Sequence, residues 1–160
     1  MDDQIVARST AVITETLAEL GLDVDQVGES QWMTMLSGEW KRTIPVLFTI
    51  GERSVRVTSL LAGRPDENHG AVHELLLHRN QDMGWVHFAL DDDGNVVLAG
   101  RVPHVAVSEA HLDELLGEVL AVSDATFNSV LRAGFERYID AEQRWRAAND
   151  MPPNPVSTQG

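Results

Sequence analysis

The sequence contains no cysteine, which excludes disulfide bonds, thiol catalysis, cysteine-ligated zinc and iron–sulfur clusters. It has no apolar run near the roughly 18 residues that a membrane-spanning helix needs. The first ten residues, MDDQIVARST, lack the basic and apolar regions of a signal peptide. We therefore expect a cytoplasmic protein that does not enter membranes.

Basic residues are also scarce. Lysine and arginine together number 12 against 25 acidic residues, and the net charge is −13. General nucleic-acid binding is excluded on this ground, because phosphate neutralisation needs clustered lysine and arginine.

Hydrophobic periodicity predicts one α+β domain over residues 1–148. Helical spacing predicts a first helix from Asp2 or Asp3 to Leu20, a second over 67–81 and a long third that begins after Ser108 as N-cap. Alternation of apolar and polar residues predicts strands at 31–36, 43–50, 54–61, 85–90 and 95–102. The order α-β-β-β-α-β-β-α implies a five-stranded antiparallel sheet with helices packed on it. Residues 149–160 contain three prolines and predict a disordered tail.

The last helix is too long for its own domain. From Ser108 to Ala147 it would run about 60 Å at 1.5 Å per residue, whereas a domain of this size is roughly 40 Å across. We expect the helix to bend near Ser123-Asp124 or near Gly134, or to project beyond the sheet. A projecting Trp145 would be a contact surface.

No pattern predicts a catalytic or metal site. His73-Glu74 begins a zinc-protease HExxH pattern, but Leu77 stands where the second histidine should be. His69 and His73 are four residues apart and lack an evident third ligand, so polar histidines on a helix face are the expectation. We predict no catalytic residue, no metal and no cofactor.

A local basic stretch and one tryptophan suggest contacts with a protein partner. Residues 37–64 hold five basic residues against two acidic ones, which indicates either solvated strand faces or a patch that receives an acidic partner segment. Trp40 lies in a polar turn, where partial exposure would make it an anchor. The predicted partner-binding residues are Trp40, Arg42, Arg56 and Arg101.

The second helix carries more leucine than one sheet contact needs. Leu77 is the third consecutive leucine and widens the apolar stripe. A deeply buried short helix and a homodimer interface on its outer side both remain open. The predicted self-association residues are Val72, Leu76, Leu77 and Trp145.

Several motifs resemble the YbjN-domain proteins. They are Val55-x-Val57-x-Ser59, the run RVPHVAVSEAHLDELL from Arg101 to Leu116, the sequel Ser123-Asp124-x-x-Phe127, and Gly134-Phe135. The resemblance covers about residues 4–140 and implies bacterial, non-enzymatic regulators of sensory or stress responses, with a fold similar to type III secretion chaperones. It further implies an acidic, dimeric protein that holds an extended partner segment against the sheet and first helix.

The leading hypothesis is therefore a cytoplasmic protein-binding module, a chaperone or adaptor, that docks an extended partner segment. The alternative is a small-ligand sensor with a pocket between sheet and helices. An enzyme is a distant third.

Overall fold

The computed structural model describes residues 3–158. An antiparallel sheet carries the helices on one face. The strands are β1 Asp25–Gly28, β2 Gln31–Leu36, β3 Ile44–Ile50, β4 Ser54–Ala62, β5 His87–Leu90 and β6 Val96–Pro103. They lie in the sheet in the order β1-β2-β3-β4-β6-β5. The α-helices are α1 Asp3–Glu19, α2 His69–Arg79, α3 Glu109–Gly134 and α4 Glu136–Ala148. Short 3₁₀ helices cover Asn80–Asp82, His104–Ala106 and Pro155–Thr158.

The α+β class and the antiparallel pairing are confirmed, but the sheet has six strands rather than five. The additional strand is β1, which lies between the predicted first helix and the first predicted strand, where we predicted no strand. Asp25 pairs with Met33 and Gln26 with Trp32 of β2. Strand pairing is made by backbone groups, so a polar segment at a sheet edge can form it without an apolar pattern.

The core lies between the sheet and α1 and α3. The side chains of β3 and β4 that point to the helices include Phe48 and Val57, both at most 1% exposed. They pack with buried apolar residues of the two helices, which include Ile13, Leu17, Leu112, Leu115 and Val119. Burial of each such side chain stabilises the fold by about 1.5–3 kcal/mol.

The long helical segment begins as predicted and is broken at Gly134. Ser108 accepts a hydrogen bond from the His111 N–H at 3.3 Å as N-cap. Phe135, at φ −136° and ψ 25°, interrupts the helix between α3 and α4. A Cβ on Gly134 would lie 2.9 Å from the Pro65 side chain, so glycine permits this close approach. Of the two predicted bend positions, the structure selects Gly134.

The segment after α4, for which we predicted disorder, makes hydrogen bonds with that helix. The Asn154 N–H donates to Gln143 Oε1 at 3.0 Å, and Gln143 Nε2 donates to the Asn154 carbonyl at 3.0 Å. Arg146 Nη1 donates to the Pro152 carbonyl at 3.1 Å. These bonds fold the proline-containing segment back along α4, because its backbone groups find partners on that helix.

Candidate functional site

The predicted partner-binding residues fall in two separate places. Arg56 of β4 lies directly opposite Arg101 of β6 on the helix-free face of the sheet. Trp40 and Arg42 lie in the loop between β2 and β3, at the Ile44 end of β3. Arg56 also pairs with Thr49, five residues further along β3, or about 17 Å at 3.4 Å per residue. The structure therefore does not unite the four side chains in one patch.

The β2–β3 loop is held on α3 by Asp124. Its Oδ1 atom accepts hydrogen bonds from the N–H groups of Trp40 at 2.7 Å and Lys41 at 2.8 Å. Gly38 N–H donates to the Lys41 carbonyl at 2.9 Å and closes the turn. A Cβ on Gly38 would lie 2.4 Å from Asp124 Oδ1, so only glycine fits against the carboxylate. From the sequence alone, Asp124 would be expected to bond backbone groups of its own helix, whereas in the structure it bonds a loop 83 and 84 residues earlier in the chain.

The same contacts set the charge state of Asp124. Partial burial raises the pKa of its carboxyl group, but hydrogen bonds from the N–H groups of Lys41, Trp40 and Glu39 and the charge of Arg42 lower it by more. The net effect is a pKa below the usual range. The carboxylate is therefore the stable form at neutral pH.

Trp40 forms one wall of a concave surface site. Its side chain is 40% exposed, in line with the expected partial exposure. Lys41 Nζ lies 5.0 Å from the centre of the Phe127 ring, and burial lowers the pKa of the lysine. A groove of about 570 Å³ runs between Trp40 and the outer side of α3, lined by Asp124, Ala125, Asn128, Ser129, Arg132, Ala133 and Glu136. This site lies outside the sheet–helix interface where we expected a pocket.

A second groove lies between α2 and β5. Its apolar lining includes Leu77, which is 67% exposed, and Leu90, which is 46% exposed. The volume is about 280 Å³, and the complete lining is His73, Leu76, Leu77, Asn80, Phe88, Ala89 and Leu90. β5 lies at one edge of the sheet, and among the described residues it pairs with β6 alone. The groove therefore adjoins an edge strand.

The structure divides the residues predicted for self-association. Val72 is completely buried and packs in the core, so its side chain is not at the surface. Leu76 is 4% exposed and forms the floor of the α2–β5 groove, while Leu77 projects beside it. Trp145, 59% exposed on α4, is not part of the groove lining. The leucine run of α2 therefore has one side in the core, and Leu77 lies at the surface.

Glu118 holds the segment that leads into β5, a role that the sequence did not indicate. Its carboxylate accepts hydrogen bonds from the N–H groups of Gly84 and Trp85, both at 2.6 Å, and of Val86 at 3.3 Å. Glu114 accepts from Trp85 Nε1 at 3.3 Å. Glu114 and Glu118 are four residues apart on α3, and this spacing gives no indication of N–H donors 29 to 34 residues away in sequence.

Four of the histidines contact other protein groups. The rings of His69 and His73 stack with centres 6.3 Å apart, and His78 lies 3.6 Å from Glu74. His104 is buried, with Nδ1 2.8 Å from Ser9 Oγ and Nε2 2.9 Å from the Gly51 carbonyl oxygen. Across residues 3–158, no three His, Asp or Glu side chains converge as a metal site.

Within the part of the chain that the structure describes, no helix has both the length and the apolar character to span a membrane.

Comparison with known proteins identifies the family. The YbjN family model, described as "Putative bacterial sensory transduction regulator", matches residues 9–132. Uncharacterized proteins of Mycobacterium bovis and Mycobacterium tuberculosis are each 40% identical over 111 residues, which is 69% of this chain and 61% of each relative. A Mycobacterium leprae protein is 37% identical over 111 residues and 60% of its length. The chain thus spans about three fifths of the length of these relatives.

Solved structures confirm the chaperone-like fold. The HopA1–SchA chaperone–effector complex contains a chain similar at a TM-score of 0.60 and 11% identity, with 79% of this chain and 98% of that chain covered. The ExoU–SpcU complex of the Pseudomonas aeruginosa type III secretion system gives 0.53 and 18%, covering 71% and 93%. The Yersinia pestis chaperone SycH with a fragment of YscM2 gives 0.52 and 16%, covering 72% and 96%. At these identities the likeness shows the fold alone.

Proposed function

The chain belongs to the YbjN family, and we propose that it is a non-enzymatic protein-binding module, a chaperone-like adaptor or regulator, that docks an extended segment of a partner protein. The observation that carries the proposal is the α2–β5 groove beside an edge strand. The neighbours of similar fold are in complexes with protein partners, which supports the same class of function.

The groove offers an apolar docking surface beside the edge strand. Leu77 and Leu90 are exposed in its lining, so apolar side chains of an extended segment would contact them. The Phe88 N–H donates to Asn80 Oδ1 at 2.6 Å, and Asn80 Nδ2 donates to the Phe88 carbonyl at 3.1 Å, so the Asn80 side chain already occupies the outward backbone groups of Phe88. The segment would therefore dock by packing its side chains in the groove rather than by pairing with β5.

The polar side chains that converge elsewhere support binding rather than catalysis. The carboxylates of Asp124 and Glu118 each accept backbone N–H groups, which fix the loop at Trp40 and the connection to β5. Their hydrogen-bonding capacity is used for structure.

A second copy of the chain is the first partner to test. Two copies can face each other at this groove about a two-fold axis, which would bring Leu77 of each protomer to the same interface. Sedimentation equilibrium of the wild type beside a Leu77→Asp variant would measure this. We expect a dimer that the variant converts to monomer. Leu20→Asp is the matched control, because Leu20 is 46% exposed at the end of α1, away from the groove.

A monomeric wild type would remove self-association from the proposal. The binding function is then measured as suppression of aggregation of a chemically unfolded client protein, for the wild type and for Leu77→Asp. Suppression that the variant lacks supports the α2–β5 groove as the docking surface. A wild type that neither dimerises nor protects the client would overturn the proposed function.

The groove at Trp40 favours a second candidate, a small-ligand sensor. Its volume of about 570 Å³ lies within the range of ligand pockets. Thermal-shift screening against metabolites tests it, because a ligand at about 100 times its Kd adds about 2.7 kcal/mol of stability. A shift that Trp40→Ala abolishes would favour the sensor, and the absence of any shift would remove it.

A further inference from the structure

The helix-free face of the sheet carries a pair of arginines at its centre. Arg56 and Arg101 are cross-strand neighbours on adjacent central strands, and both are exposed. Directly opposed residues have Cβ atoms about 4.5–5.5 Å apart, so two positive charges stand side by side. Like charges in this position destabilise a sheet.

No neighbour offsets this repulsion. Over residues 3–158, neither Arg56 nor Arg101 makes an ion pair or a side-chain hydrogen bond. Two other arginines do have acidic partners, since Arg137 pairs with Glu67 at 3.1 Å and Arg146 with Glu142 at 2.9 Å. In a chain with a net charge of −13, two adjacent unneutralised arginines form a local positive site.

The surroundings of the pair are apolar or uncharged. On the same face, Leu60 is 45% exposed and pairs with Val97, while Leu47 pairs with Thr58. The exposed Met35, opposite Pro45, extends this surface towards β2. An apolar surface with one concentrated positive site fits a ligand that is largely apolar and carries clustered negative charge.

We infer that this face binds an acidic, otherwise apolar polypeptide segment of a partner protein, with neighbouring carboxylates of that segment on Arg56 and Arg101 and its apolar side chains on Leu47 and Leu60. The inference rests on the proposed function and adds the chemistry of the partner. Guanidinium groups form paired hydrogen bonds with carboxylates, so two adjacent arginines select adjacent acids. The surface is distinct from the α2–β5 groove, since β4 and β6 lie inside the sheet and β5 lies at its edge.

The test uses an array of short immobilised peptides built from leucine, threonine and glutamate, and the same array with glutamine in place of glutamate. The full-length wild type should bind the glutamate peptides that contain leucine, with binding that falls as salt rises. The Arg56→Gln/Arg101→Gln variant should bind these peptides about tenfold more weakly, as expected for the loss of two surface ion pairs. An Arg8→Gln/Arg144→Gln variant is the matched control, because both arginines are exposed on helices and the net charge changes equally.

The outcomes separate this inference from the proposed function. Wild-type binding without preference for glutamate over glutamine, equal weakening in both double variants, or no peptide binding would each overturn the inference. Client protection that depends on Leu77 would keep the proposed function in place in those cases. Loss of glutamate preference in the Arg56/Arg101 variant alone supports the inference.

Discussion

Replacing Asp124 with alanine should release the β2–β3 loop from α3. The substitution removes the acceptor of the Trp40 and Lys41 N–H groups, at 2.7 and 2.8 Å. The turn at Gly38 packs directly against this carboxylate, with no room for a Cβ between them. The loop should become mobile while the core, whose residues lie on the other side of α3, remains folded.

The magnitude follows from the two hydrogen bonds. A hydrogen bond to a charged group contributes roughly 1.5–3 kcal/mol when buried, and solvent screening at this surface position reduces each to about 1 kcal/mol. Asp124→Ala should therefore lower the free energy of unfolding by about 2 kcal/mol. For a chain of this length that corresponds to a fall in Tm of about 4–8 °C. Asp124→Asn, which keeps an acceptor oxygen, should cost about half as much.

The effect of Asp124 should depend on pH. Its pKa is lowered in the folded state, so its stabilising contribution is complete above the ordinary aspartate pKa of about 3.9 and is lost as pH falls through the lower folded pKa. The difference in Tm between wild type and Asp124→Asn should be constant near neutral pH. It should shrink in acid, once the wild-type carboxylate is protonated.

Thermal unfolding followed by circular dichroism at neutral and acidic pH measures both effects, and acrylamide quenching of tryptophan fluorescence reports release of Trp40. Asp113→Asn is the control, because Asp113 is an exposed carboxylate of the same helix. A Tm for Asp124→Ala equal to that of the control, or a deficit that persists unchanged in acid, would refute the assigned role of the carboxylate.

Two further predictions concern Glu118 and Arg101. Glu118→Ala leaves three backbone N–H groups without their acceptor and should lower the free energy of unfolding, measured by chemical denaturation, by about 2–3 kcal/mol. Glu118→Gln should retain part of the lost stability. Equal stability of the wild type and both variants would contradict the assigned role of Glu118. Arg101→Glu places an acid opposite Arg56 and should raise stability by about 0.2–1 kcal/mol while weakening binding of glutamate peptides. A fall in stability would show that the arginine pair carries no strain in the free protein.

The strongly periodic elements were predictable from the sequence. Helix α3 has an apolar stripe that includes Leu112, Leu115 and Val119, all of which are buried, and Ser108 caps it. The alternation in β3 and β4 likewise gave the buried faces. These predictions hold because periodicity is a local property that any core facing the element must satisfy.

β1 and the Gly134 bend depended on neighbours that local patterns do not reveal. β1 has no buried side chain and exists because the backbone of β2 offers it hydrogen bonds. Gly134 bends the helical segment where Pro65 and Val72 come close. The sequence predicted a bend at either Ser123-Asp124 or Gly134, and the position depends on packing that the sequence does not reveal.

For the candidate sites, the sequence by itself determined which residue types were available, and the tertiary structure decided which of them meet. The sequence identified Trp40 and Leu77 as more apolar than their positions required, and Arg56 and Arg101 as more polar. That Arg56 and Arg101 stand opposite one another followed only from strand order, because β4 pairs with β6, more than 30 residues later in the chain. Charge is local to a residue, whereas its neighbours are set by long-range pairing of the backbone.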